Sequence, residues 1–113
     1  MSTPTPEEVR TEAEAWVDAN WDPEITTAEW WRRLGDAGYA APTLPLEAGG
    51  RGWSTRLGTE VLAAIADTGA VGPPTGLGIM LAAPTIATHG TPEQIERYIP
   101  PILDGTDAWC QLF

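Results

Sequence analysis

A single cysteine, Cys110, excludes any disulfide within this 113-residue chain and suits a reducing cytosol. The one histidine, His89, has no second histidine to share a metal, so a structural role at a helix C-terminus is expected and no metal site is assigned. Basic residues are scarce, six against sixteen acidic, and the net charge is -10. That balance repels phosphate backbones and anionic bilayers, which argues against nucleic-acid and membrane partners. No apolar run reaches the roughly 18 residues that a spanning helix needs. The opening Met1-Ser2-Thr3-Pro4 has no basic stretch followed by an apolar core, so no signal peptide is expected and a cytoplasmic location follows.

What is present fits one domain with a packed core: 42% of the residues are hydrophobic and six are tryptophan. Eleven prolines and twelve glycines fall mostly between helix-like stretches and punctuate them. Thr5-Pro6-Glu7-Glu8 is a helix start, with a capping hydroxyl, an early proline and a glutamate three residues on. Val9, Ala13, Trp16 and Val17 follow at helical spacing, and Asn20 and Pro23 end the run. Thr26-Thr27-Ala28-Glu29 opens a second helix, with Trp30, Trp31, Leu34 and Ala37 on its apolar side and Gly38 as its stop. From Tyr39 to Gly52 two prolines and three glycines forbid a helix and predict an ordered extended loop.

Ser54 caps a third helix carrying Leu57, Val61, Leu62 and Ile65, which ends near Gly69. Pro73-Pro74 then opens an apolar fourth helix through Leu77, Met80, Leu81 and Ile86. Its thin polar side predicts burial on most sides, and Pro84 should kink it or end its first half. Thr91-Pro92-Glu93-Gln94 starts a fifth helix with Ile95, Tyr98, Ile99 and Ile102, Pro100-Pro101 should break its ladder, and Asp104-Gly105 marks a turn. Trp109-Cys110-Gln111-Leu112-Phe113 is strand-forming and apolar, with no polar tail. A lone strand has no stable partner, so the chain is expected to continue or to be completed by a second polypeptide.

From Trp31-Arg32-Arg33-Leu34-Gly35-Asp36-Ala37-Gly38 through Tyr39-Ala40-Ala41-Pro42-Thr43-Leu44-Pro45 and Gly49-Gly50-Arg51-Gly52, the sequence resembles the acyl-CoA dehydrogenase family. The resemblance continues in Ala83-Pro84-Thr85-Ile86, His89-Gly90-Thr91-Pro92-Glu93-Gln94 and Pro100-Pro101-Ile102-Leu103-Asp104-Gly105, in the family's order. Ala48 departs from the aromatic residue usual before the two glycines. The resemblance implies an all-α fold, an orthogonal bundle of about five helices, with a C-terminal stub of the first strand of a missing β-domain. It implies a helical N-terminal domain over residues 1–106 and the start of a central β-domain over 107–113.

The implied activity is FAD-dependent α,β-dehydrogenation of an acyl-CoA thioester. Leu77, Met80 and Leu81 match positions that contact the acyl chain, and Gln111 and Phe113 match strand positions that touch flavin. Ordinary core and plain sheet residues are the competing readings. No catalytic residue is implied within this chain, because the family's glutamate base belongs to a C-terminal helical domain. The implied partners are acyl-CoA and the rest of the dehydrogenase chain or a partner subunit, in an oligomer. The competing function is a non-catalytic helical interaction module of a dehydrogenase assembly.

Cys110, in an apolar strand without basic neighbours, reads as an inert buried thiol. Glu7, Glu8, Glu12 and Glu14 read as a solvated helix start rather than acid-base groups. Gly49-Gly50-Arg51-Gly52 lacks the lysine and the preceding strand of a phosphate loop.

Overall fold

Helix ends are set by short-range chemistry, and four of the five starts use a Ser or Thr cap. In a computed structural model that describes residues 3–112, α1 spans Pro6–Asn20, α2 Thr27–Ala37, α3 Thr55–Asp67, α4 Ala83–His89 and α5 Pro92–Leu103. No strand occurs among the described residues, so the fold is all-α. The Glu8 N–H donates to Thr5 Oγ1 while the Thr5 N–H donates to Glu8 Oε1, closing the capping box of α1. Thr91 and Gln94 repeat that arrangement at α5. Thr26 and Ser54 cap α2 and α3. Gly38, at φ 81°, ends α2 in the left-handed region where a Cβ would be strained.

The helices stack as a slab of 39 × 37 × 24 Å. α1 packs along α3, burying Val9, Ala13 and Val17 in one core cluster with Val61, Ala64 and Ile65. Arg10 ties the same pair at the surface through Glu60 at 3.7 Å and Asp67 of α3, and pairs within α1 with Glu14 at 2.6 Å. α5 packs on α4, on α2 and on a single 3₁₀ turn at Leu46–Ala48. An aromatic cluster joins α1 to α2: the Trp16 ring lies 5.4 Å from Trp30 and 5.1 Å from Tyr39, and Trp21 lies 5.0 Å from Trp30.

The loop from Tyr39 to Gly52 is ordered, as its apolar residues predict: Tyr39, Ala40, Ala41, Leu44 and Ala48 are buried. It folds back on itself, with the Arg51 and Trp53 N–H groups both donating to the Pro42 carbonyl and Gly52 donating to that of Leu44. A Cβ at Gly50 would collide with the carbonyls of Leu44 and Ala41, so only glycine permits this return.

One expectation about proline holds and one is corrected. Pro100-Pro101 interrupts the hydrogen-bond ladder of α5, yet the helix runs through both to Leu103. The prolines remove donors for the carbonyls of Glu96 and Arg97, and both residues are exposed, where water can satisfy them. Pro73-Pro74 does not open the fourth helix. The helical path begins with a π turn at Gly78–Ala82, and Gly76 before it takes φ 106°.

Candidate functional site

α2 positions the segment that leads to α4. Its adjacent tryptophans reach out together: the Trp30 indole N–H donates to the Val71 carbonyl at 2.6 Å and that of Trp31 to Gly72 at 2.8 Å. The linker is therefore held before it meets Pro73. Pro84 explains the turn that follows. It has no N–H to give the Met80 carbonyl, and its ring crowds that carbonyl. The chain widens instead, and the Ala83 N–H donates five residues back, to Gly78.

The widened turn faces α5 with its smallest residues. Gly78 and Ala83 are buried, and a Cβ at Gly78 would sit 3.1 Å from Ile102 Cγ2 and 3.5 Å from Trp109 Cδ1. The large apolar residues are left on the outer side: Met80 is 74% exposed, Leu81 46% and Leu77 36%. The expectation that this helix is buried on most sides is thus corrected. Gly78 and Ala83 are buried and Ile79, Ala82, Ile86 and Ala87 pack half-buried against the core, while Leu77, Met80 and Leu81 stay outside.

After Gly105 (φ 79°) the chain runs back along the same helices. Trp109 stacks edge-on against Tyr98, 6.3 Å between rings, and abuts Gly78. Between this segment and the π turn lies a groove of about 370 Å³. Leu77, Leu81 and Ile86 form one side and Trp109, Cys110 and Gln111 the other, with Ala82 and Thr85 between them. Cys110 is exposed rather than buried, because Trp109 makes the contact with the helices and turns its neighbour outward. Leu112 is 93% exposed, and Phe113 lies outside the described residues.

Leu77, Leu81 and Gln111, expected on separate grounds, therefore line one groove, while Met80 lies beside it on the same outer face. Trp109, Thr85 and Ile86 complete the lining. Trp109 was legible only as a strand-forming aromatic, since nothing local assigns it a wall. No carboxylate and no basic side chain lines the groove among the described residues. It can desolvate an apolar group, but it has no carboxylate base to take a proton and no cation to meet a phosphate.

The charged residues serve the fold. His89 is exposed, and no group of His, Cys, Asp and Glu suited to a metal occurs among the described residues. Glu12 does more than solvate α1: it accepts from the Tyr39 hydroxyl at 2.6 Å and from Arg51 at 3.1 Å. Burial and that carboxylate raise the Tyr39 pKa well above the usual tyrosine value. The Arg51 guanidinium also lies 4.5 Å from the Tyr39 ring centre and 5.2 Å from that of Trp53, and donates to the Ala37 carbonyl at 2.8 Å.

The family model described as "Acyl-CoA dehydrogenase, N-terminal domain" matches residues 3–106. Acyl-CoA dehydrogenase IpdE1 of Mycolicibacterium smegmatis is 38% identical over 82 residues, which are 73% of this chain and 21% of that protein. The protein of the same name from Mycobacterium tuberculosis matches to the same extent. Acyl-CoA dehydrogenase FadE34 of M. tuberculosis is 66% identical over 32 residues, 28% of this chain and 4% of its own length. The chain thus spans about a fifth of the IpdE1 proteins. No solved structure matches it significantly. With the family match covering all five helices and the glycine-rich loop in order, the chain belongs to the acyl-CoA dehydrogenase family, to its N-terminal domain.

Proposed function

We propose that α4, its π turn and the segment after Gly105 form one wall of the acyl and flavin cavity of an FAD-dependent acyl-CoA dehydrogenase. In this reading residues 1–106 are the helical domain and 107–113 open the central β-domain. The observation that carries it is the apolar groove of about 370 Å³ that has Leu77 and Leu81 on one side and Gln111 on the other. Exposed leucine and methionine side chains are costly in water, at roughly 25 cal/mol per Å² of apolar surface, and an acyl chain laid against them offsets that cost. Met80 adds a deformable surface beside the groove.

The residues fit a wall and not a whole cradle. Gln111 offers an amide donor and acceptor at the groove edge, which suits the polar rim of a flavin ring. Phe113 is assigned to the same contact from the sequence. When bound, FAD supplies the acceptor for the β hydrogen as hydride. This chain's part is to hold the acyl segment, orient it and keep water from it. The α proton and the CoA phosphates are handled by groups beyond the groove, since its described lining has neither carboxylate nor cation.

The test replaces the matching N-terminal segment of the M. smegmatis IpdE1 protein with this chain and measures kcat/KM over a series of acyl-CoA chain lengths. Leu81→Trp narrows the groove and is expected to lower kcat/KM for the bulkiest acyl groups by about tenfold relative to the smallest. An unchanged profile in an active chimera sinks the wall assignment.

A further inference from the structure

A second groove, larger than the one at α4, lies elsewhere on the described surface. It has a volume of about 650 Å³ and lies between the C-terminal turn of α2, the 3₁₀ turn Leu46–Ala48 and the outer face of α5. Its accessible apolar surface comes from Leu46, Ile95 and Pro100, over a floor of buried Ala48 and Leu103. One glycine lets its walls meet at the bottom: a Cβ at Gly49 would lie 2.8 Å from Leu103 Cδ1. Leu46 stands at the mouth, 74% exposed. Local structure accounts for its place, since it opens the 3₁₀ turn, but nothing in the described chain covers it.

Charge selects the occupant. Four carboxylates line this groove, Asp36, Glu47, Glu96 and Asp104, and no basic residue does. Asp36 is paired with Arg32 at 2.9 Å. Glu47, Glu96 and Asp104 have no ion-pair partner among the described residues. An apolar trough edged by uncompensated negative charge is complementary to an apolar seam flanked by cations. A second copy of this chain, itself at net charge -10, would be repelled there, and a neutral apolar ligand would leave the carboxylates unused.

We propose that this groove docks a basic amphipathic helix of a partner polypeptide, its leucine-like side chains against Leu46, Ile95 and Pro100 and its lysines or arginines against Glu47, Glu96 and Asp104. The interaction is independent of the acyl groove and does not require the dehydrogenase reading to hold.

The probe is a synthetic amphipathic helix with a leucine seam flanked by lysines, titrated into the full chain by calorimetry and by amide chemical shifts. The control is the same peptide with glutamate in place of lysine. Shifts are expected at α2's last turn, Leu46–Ala48 and α5. The double variant Glu47→Lys/Glu96→Lys is expected to weaken binding by about tenfold or more. Glu7→Lys/Glu24→Lys, which changes the net charge equally away from the groove, is expected to leave it within about twofold. Leu46→Ser should weaken binding without altering the charge. Absence of binding, shifts centred elsewhere, equal losses in the two double variants, or equal binding of the glutamate peptide would each overturn the proposal.

Discussion

Glu12, Tyr39 and Arg51 hold the glycine-rich loop to α1 and α2 through one carboxylate, one phenol and one guanidinium. Tyr39 is 1% exposed, yet its hydroxyl reaches a half-exposed carboxylate, so the bond is charge-assisted but partly screened. Tyr39→Phe keeps the ring against Trp16 and Arg51 and removes only that bond. A loss of about 1 kcal/mol is expected in urea unfolding. No loss would mean that Glu12 is as well served by Arg51 and water. None of this was legible from the sequence, where Glu12 reads as one more acidic residue on a solvated helix start. The partners lie 27 and 39 positions away, and no local pattern links them.

Glu29 is the clearest acid-sensitive group. Hydrogen bonds from Arg32 and Arg33, more than their charge alone, lower its pKa to about 2. A folded-state pKa below the unfolded value means that the stabilisation is complete above the ordinary carboxylate range and is lost as pH falls towards about 2. A carboxyl NMR titration should place the Glu29 midpoint near 2, with amide exchange in α2 rising over the same interval. Glu29→Gln should flatten that acid response. A midpoint at the ordinary glutamate value would refute the paired geometry.

Among the elements, the starts of α1, α2, α3 and α5 are legible because they are written in adjacent residues, while the start expected at Pro73-Pro74 is not where the fourth helix begins. Thr5 with Glu8, Thr91 with Gln94, Ser54, Thr26 and Gly38 each do in the structure what their spacing implies. The effect of the prolines is less legible. Pro100 and Pro101 orphan the carbonyls of exposed Glu96 and Arg97 and α5 continues, whereas Pro84 orphans that of the equally exposed Met80 and the chain there widens into a π turn, so the local loss of an N–H does not by itself fix the outcome. The two cases predict different responses. Pro100→Ala restores a donor in an intact helix and is expected to raise stability by about 1 kcal/mol, seen as a higher midpoint in thermal unfolding. A lower midpoint would show that the proline ring's place at the larger groove outweighs the restored bond.

For the whole molecule, the main consequence of the packing is that the slab carries two apolar concavities on different elements, one at α4 and one at α5. Neither surrounds a planar cofactor, since each is open and the groove at α4 offers a single amide side chain, that of Gln111. The purified chain is therefore expected to show no flavin absorbance after dialysis against FAD. Stoichiometric bound flavin would overturn the division of labour proposed here, in which this domain supplies a wall and other parts hold the cofactor.

Composition and local order alone determined much of this protein. They set the absence of a disulfide, the acidic surface, the caps that start its helices, the glycines that stop them and the family to which it belongs. They could not decide which apolar residues would meet a neighbour. Helical periodicity names an apolar side but not its partner: along the π turn and α4, Gly78 and Ala83 are buried and Ile79 and Ile86 pack against the core, leaving Leu77, Met80 and Leu81 exposed. Tertiary structure made that choice: at Gly78 the turn comes so close to α5 that a Cβ would crowd Ile102, and the side chains meeting there are fixed by that approach rather than by the local pattern.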